Sequence, residues 1–411
     1  MKAKVENFIL SNEVVRILAE LQELGIPAKH FSDVVDEEGN QYVDLVQEGG
    51  GVLGVALLGY THVMEEMGIR FFSLAGTSAG AINTLLLAVS GKIVEKKSEK
   101  ILKILLAKNL FDLVDGPMAS RKLIRSIVDS SWIGEKIFWA LCSIKYLLEN
   151  KGLNPGNDFH NWIRNVLKEN NVISQLQLSQ LRSWRPVGLH IREGIKRSVE
   201  DLIPKLKIIT ADITTETRVI FPEMNELYWD YPNNVNPAEY LRCSMSIPGF
   251  FEPYKIKLGN FVRREDWISL AKYHGSLPEE AVFVDGGIMS NFPIDVFHNK
   301  NNVPRLPTFG VKLGDDRNEI NKVDAIPRFL MSVFNSARHV LDYSFLLQNP
   351  DYEKLITKVD VGTHNWLNFL MSDEEKIDLF IRGAKAACEF LKKFDWEGYK
   401  EIRASMIRAQ E

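Results

Sequence analysis

The sequence predicts an α/β sandwich, and three observations predict it. Apolar segments of strand length alternate with segments of helical period between residues 41 and 91. Two of the strand-like segments run into glycine-rich turns, Gly49-Gly50-Gly51 and Gly76-Thr77-Ser78-Ala79-Gly80. The order strand–helix–strand–helix implies parallel strands joined by right-handed crossovers, with helices covering the sheet.

Before the sheet comes a helix. Ser11 or Asn12 can cap it, and Val14, Ile17, Leu18, Leu21 and Leu24 keep helical spacing until Gly25 and Pro27 stop it. A polar loop through Asp36, Glu37, Glu38, Gly39 and Asn40 leads to a strand over residues 41–46. Leu53, Leu57, Tyr60, Val63, Met64 and Met67 then repeat at helical spacing, and Gly68 closes that helix. Residues 69–75 read as a buried strand, and residues 81–89 as an apolar helix ending at Gly91. From about 92 to 203 the chain is lysine-rich, amphipathic and mostly helical. Strand signals return at 206–210, 218–221, 282–284 and 308–313, and helical period returns from about 325. The expected division is an N-terminal helical segment (1–40), a catalytic domain (41–324) interrupted by a helical insertion (about 92–203), and a helical C-terminal extension (325–411).

Composition narrows the function. With 411 residues, 45% apolar and 25% charged, the chain is of globular type and not a disordered or fibrous one. A formal charge of −4 argues against a nucleic-acid partner, and Arg192, Lys196 and Arg197 are too few to reverse that. Cys142, Cys243 and Cys388 lie far apart, without metal-ligand spacing and without need of an oxidising compartment. Residues 1–10 lack the apolar run of a secretory signal. No stretch of 18 uncharged apolar residues exists; the nearest, 133–148, is interrupted by Glu135, Lys136 and Lys145. The expectation is a cytoplasmic protein that touches membranes only peripherally.

Three motifs carry chemistry. Gly49-Gly50-Gly51-Val52-Leu53-Gly54 satisfies the G-x-G-x-x-G dinucleotide fingerprint. That reading needs an acidic residue about 20 positions later to hold the ribose, and Ile69-Arg70-Phe71-Phe72-Ser73-Leu74-Ala75-Gly76 supplies none. The other reading is that the glycines bring backbone N–H groups to a developing negative charge beside a helix start. Gly76-Thr77-Ser78-Ala79-Gly80 matches the G-x-S-x-G turn that exposes a nucleophilic serine between strand and helix; a serine serving only as a helix cap would look the same. The third motif is Asp285-Gly286-Gly287 after an apolar strand. An aspartate there can accept the serine proton directly if desolvation raises its proton affinity above the ordinary carboxylate value of about 4; a turn aspartate is the plain alternative. No histidine among the eight stands in a catalytic context: His62 falls inside a crossover helix, and His160, His190, His274, His298, His339 and His364 have no placed neighbours.

In this order and setting the motifs resemble the patatin-like phospholipase family of lipid acyl hydrolases. The resemblance spans roughly residues 41 to 313, and Asp285 through Pro293 and Ser244-Met245-Ser246-Ile247-Pro248-Gly249-Phe250-Phe251 belong to it. It implies a three-layer α/β/α fold with a mostly parallel central sheet. It also implies Ser78 as nucleophile, Asp285 as base, and an oxyanion hole built from Gly49, Gly50, Gly51 and Gly54. Gly76, Gly80, Gly286 and Gly287 would shape the two turns. The reaction it implies is hydrolysis of phospholipid or lysophospholipid esters, with no cofactor and no metal expected. One position departs from the family pattern: its glycine block carries Lys or Arg before the last glycine, where this chain has Leu53. Two alternatives stay open, an acyltransferase or esterase using a histidine base such as His298 or His274, and a non-catalytic lipid-binding or signalling module.

The insertion raises a separate question. Lys96, Lys97, Lys100, Lys103 and Lys108 suit either anionic head groups or a solvated helix face. Trp132, Ile133, Ile137, Phe138, Trp139, Leu141, Tyr146 and Leu147 suit either core packing or a lid that touches lipid. Core packing is the plainer expectation.

Overall fold

A computed structural model describes residues 3–129, 131–192, 199–259, 263–314, 320, 323–324 and 326–409. Lys196 and Arg197 lie outside the described residues. The fold is mixed α/β. Helix α1 (Asn12–Glu23) starts where Ser11 accepts the Val14 N–H. Strand β1 (Gln41–Gln47) leads through the glycine block into α2 (Gly54–Glu66), β2 (Ile69–Thr77) and α3 (Ala79–Val89). The insertion contributes α4 (Ser98–Ala107), α5 (Met118–Val128) and α6 (Ile133–Asn150), followed by two further helices at Asn157–Glu169 and Gln175–Ser183. Next come β3 (Leu206–Asp212), β4 (Thr217–Phe221), α7 (Ala238–Ser244), β5 (Tyr254–Lys257), β6 (Glu280–Asp285) and β7 (Thr308–Leu313). The tail supplies α8 (Ile326–Gln348), β8 (Ile356–Val359), α9 (Asp373–Lys393) and a last helix at Trp396–Arg408.

The centre of the sheet is parallel, in the order β8-β7-β1-β2-β3. Every residue of β2, β3 and β7 is buried, so both faces are covered by other elements. This explains why these strands read as apolar runs and not as alternating ones. Beyond the parallel core, β4 returns antiparallel on β3, and β6 runs antiparallel to both β3 and β5.

The register of β3 decides where the site forms. Its residues Leu206 to Ile209 pair with β2, ending at Thr77 opposite Ile209. Its next residues, Thr210 to Asp212, pair with β6, which ends at Asp285 opposite Thr210. Strand β4 covers residues 208–212 from the other side. Strands β2 and β6 therefore point at each other along one edge of β3, and their ends meet.

The tail packs onto this core. Helix α9 crosses α2 at two glycines, since a Cβ on Gly59 would collide with Phe380 O and one on Gly383 with Ala56 O. Phe380 also meets the Phe8 ring edge-on and the His62 ring at a tilt. The helix that follows the glycine block is thus held between the sheet and the C-terminal tail.

Candidate active site

Ser78 sits at φ 52°, ψ −120°, a backbone conformation that side chains other than glycine rarely adopt. The turn is tight enough that a Cβ on Gly76 would lie 2.5 Å from the Gly80 carbonyl carbon, and one on Gly80 would collide with Gln47 O. The surroundings hold the strained turn in place. Ser78 N–H donates to Ser244 Oγ at 2.9 Å, and that hydroxyl donates onward to Ile209 O at 2.6 Å. Thr77 Oγ1 donates to Ser290 O at 2.9 Å.

Asp285 is buried at the end of β6. Its N–H donates to Ser246 O at 2.9 Å, and its Oδ1 accepts Gly287 N–H at 2.7 Å. Oδ2 is buried without a hydrogen-bond partner among the described residues, while Ser78 Oγ lies 3.4 Å from Met245 Sδ. Burial raises the proton affinity of the Asp285 carboxyl above the ordinary carboxylate range; the Ser78 hydroxyl, the Gly287 N–H and the positive charge of Arg338 partly oppose that. Neither Ser78 nor Asp285 makes a hydrogen bond to a histidine among the described residues. His298 instead meets Tyr352 at 2.9 Å, and His274 is exposed.

The glycine block lies directly beside Ser78: a Cβ on Gly49 would stand 3.0 Å from Ser78 Cβ. Most of its N–H groups are taken. Gly49 donates to Asn291 O, Val52 to Trp366 O, Leu53 to Gly50 O and Gly54 to Gly51 O. Gly49 and Gly54, expected as oxyanion donors, are therefore spent on holding the loop. The N–H groups of Gly50 and Gly51 make no hydrogen bond to another described residue, and the start of α3 adds its own first-turn donors. Leu53, the departure from the family pattern, is buried. One cation on the neighbouring strand β7 is Lys312, buried and 3.6 Å from Glu48, whose other oxygen accepts Leu313 N–H.

Behind the loop lies an apolar pocket. Gly51, Gly54 and Ala79 form its near wall, and Leu86, Leu102 and Leu106 are among the residues of its far wall.

The motif sequences give no sign of several of these supports. Ser244, Ser246 and Met245 bracket Ser78 and Asp285 from one short segment, which Arg242 fixes through Ser246 Oγ (2.6 Å) and Glu252 O (2.9 Å). Asn291 Nδ2 donates to Gly49 O at 3.2 Å. Asp342, on α8, accepts Ser290 Oγ–H at 2.9 Å and Phe292 N–H at 2.8 Å and so clamps the loop after Asp285. The serines stood inside a segment that the family resemblance had marked; for Asp342 the sequence offers no signal.

An α/β sheet with a strained serine turn and a glycine turn at neighbouring strand ends has the architecture of an ester hydrolase. A model of the patatin-like phospholipase family matches residues 45–298, more than half of the chain, and the chain belongs to that family. Lipid-ester hydrolysis is the general activity this membership carries. The uncharacterised protein YqhO of Bacillus subtilis (strain 168) is 27% identical over 357 residues, covering 86% of this chain and 100% of that one. Among solved structures, VipD from Legionella pneumophila aligns with a TM-score of 0.42 and 16% identity, over 89% of this chain and 70% of its own. The complex of SpcU with ExoU from the type III secretion system of Pseudomonas aeruginosa aligns with a TM-score of 0.34 and 17% identity, over 86% and 53%.

Proposed function

We propose that this chain hydrolyses acyl esters of phospholipids or lysophospholipids through a Ser78–Asp285 dyad. The observation that carries the reading is the end-to-end meeting of β2 and β6. It puts a strained serine and a buried carboxylate with raised proton affinity beside two glycine N–H groups that have no acceptor among the described residues.

The Ser78 hydroxyl attacks the ester carbonyl carbon as Asp285 takes its proton. The carbonyl oxygen becomes an oxyanion facing Gly50 and Gly51 N–H, an interaction worth about 3–4 kcal/mol per donor in comparable sites. Collapse of the tetrahedral intermediate breaks the ester C–O bond, and Asp285 returns the proton to the departing alcohol. Water then attacks the acyl-serine and gives a proton to Asp285; the Ser78 Oγ–C bond breaks, Asp285 returns that proton to Ser78, and the fatty acid leaves. The apolar pocket behind the loop is suited to the acyl chain. Because the substrate resides in a bilayer or micelle, the protein works at a membrane surface without spanning it, and no described helix is long and apolar enough to cross one.

The test is a panel of defined phospholipids and lysophospholipids with products identified by mass, run beside fluorophosphonate labelling. Wild-type protein should release fatty acid and take the label, and Ser78→Ala should do neither. Equal labelling of Ser78→Ala, or no turnover of any lipid in the panel, would overturn the reading.

A further inference from the structure

Helix α6 has 18 residues, most of them apolar, and of these Ser143 is the buried one. Core packing, the plainer sequence expectation for this stretch, does not hold. Ile133, Ile137, Leu141, Ile144 and Leu148 are all exposed, Leu148 by 73%. At 100° per residue these five fall within about 80° of the helix circumference. On the same wheel Lys136 and Lys145 flank the stripe on its two sides, and Glu135 and Glu149 fall on the opposite half.

That arrangement is the pattern of a helix lying in an interface, with apolar residues inserted, lysines reaching head groups and acids turned to water. Charge points the same way. Residues 118–151 carry six basic and three acidic residues, a local +3 in a chain of −4. Lys122 sits 4.5 Å over the Trp139 ring, which also meets Glu135, so α5 is held on the side of α6 away from the stripe and leaves the stripe uncovered. The lysines around the start of α4 are less available: Lys96 pairs with Glu66, and Lys97 and Lys100 donate to the carbonyls of Leu87 and Ser90.

The hairpin is tied to the site at both ends. Leu110 and Leu113 line the apolar pocket, and Phe111 between them carries Arg125 of α5 at 4.9 Å. At the far end of α6, Tyr146 OH donates to Glu252 Oε1 at 2.6 Å, next to the segment that brackets Ser78 and Asp285.

We propose that the α5–α6 hairpin is the docking surface for an anionic lipid bilayer, lying flat with the α6 stripe inserted. It names the partner of the lipid hydrolase reading above and rests on that reading for its purpose, but its test measures binding alone. Flotation with vesicles of phosphatidylcholine, with and without phosphatidylglycerol, is done with full-length Ser78→Ala so that no lipid is consumed. Binding should require phosphatidylglycerol and weaken as salt rises. The pair Ile137→Ser and Leu141→Ser should lower partition about tenfold or more. Leu24→Ser, at the exposed leucine that follows α1, should change nothing. Unchanged melting temperatures establish that each variant is folded; should the pair lower it, Leu148→Ser alone replaces it. Equal flotation of wild-type stripe and altered stripe would overturn the proposal. So would a wild-type dimer in gel filtration that the pair converts to monomer without vesicle binding, since the stripe would then cover a second copy. Loss of lipid hydrolysis by the wild type would count against the dyad and not against this surface.

Discussion

Thr77 and Asp285 sit opposite consecutive residues of one strand, Ile209 and Thr210. They come from strands that run in opposite directions and end against each other. The residue after Thr77 is the strained Ser78, so a serine and a carboxylate 207 positions apart in the chain are set by the register of β3. A shift of that register would separate them.

Asp285→Asn should cost several orders of magnitude in kcat at nearly constant volume, because an amide cannot take the Ser78 proton. Ser78 labelling should fall with it. If His298→Ala or His274→Ala were as damaging while Asp285→Asn was mild, a histidine base would replace the dyad.

The pH profile follows from the same carboxyl. Burial holds its pKa above the ordinary range, and a base must be deprotonated, so activity should rise with pH through that raised value. Arg338 opposes the rise. Arg338→Gln should therefore move the acidic limb of kcat to higher pH and leave the alkaline plateau in place. A profile that stays where it was would remove Arg338 from the electrostatics of the site.

Gly50 and Gly51 should not be equally sensitive. A Cβ on Gly50 would meet Leu313 Cδ1 at 2.6 Å, the movable end of a side chain. On Gly51 it would collide with the backbone oxygen of Trp366, at a φ of +55° that already disfavours it. Gly51→Ala should lose far more turnover than Gly50→Ala, and comparison of kcat for the two decides it.

How much of this was legible in the sequence differs by region. The strands around 41–46, 69–75 and 308–313 were plain because β-rich apolar runs ending in glycine have few other readings, and the structure extends the first two by only a residue or two. Ser78, Asp285 and the glycine block stood out because tight turns demand small residues. What the sequence could not show is direction and depth. Strand β6 gives no sign that it runs against β3, and its direction is what brings Asp285 to Ser78. The tail read as helical, yet Ile356–Val359 adds a parallel strand beside β7. The spacing of Ile133 through Leu148 fits burial and exposure alike, because periodicity reports that a face is apolar but not what covers it.

The last prediction concerns Asp342, the clamp on the loop that follows the candidate base. Burial pushes its carboxyl up to about 7, against the pull of the Phe292 N–H and Ser290 O–H it accepts. In the unfolded chain the same group titrates near about 3.9. The folded state thus binds the proton more tightly. The stability this contributes is fully present below the unfolded value and is lost as pH rises through about 7. Asp342→Asn cannot titrate and keeps one acceptor oxygen. Its melting temperature should change less between pH 5 and pH 8 than that of the wild type, the two curves diverging across the region of the folded pKa. Activity offers a second readout, because Ser290 and Phe292 fix the chain between Asp285 and Asn291, and Asn291 in turn holds Gly49. A variant with a flatter stability profile should therefore also lose kcat while remaining folded. Parallel pH profiles in the two proteins would mean that Asp342 titrates in its ordinary range and that the clamp is not under proton control.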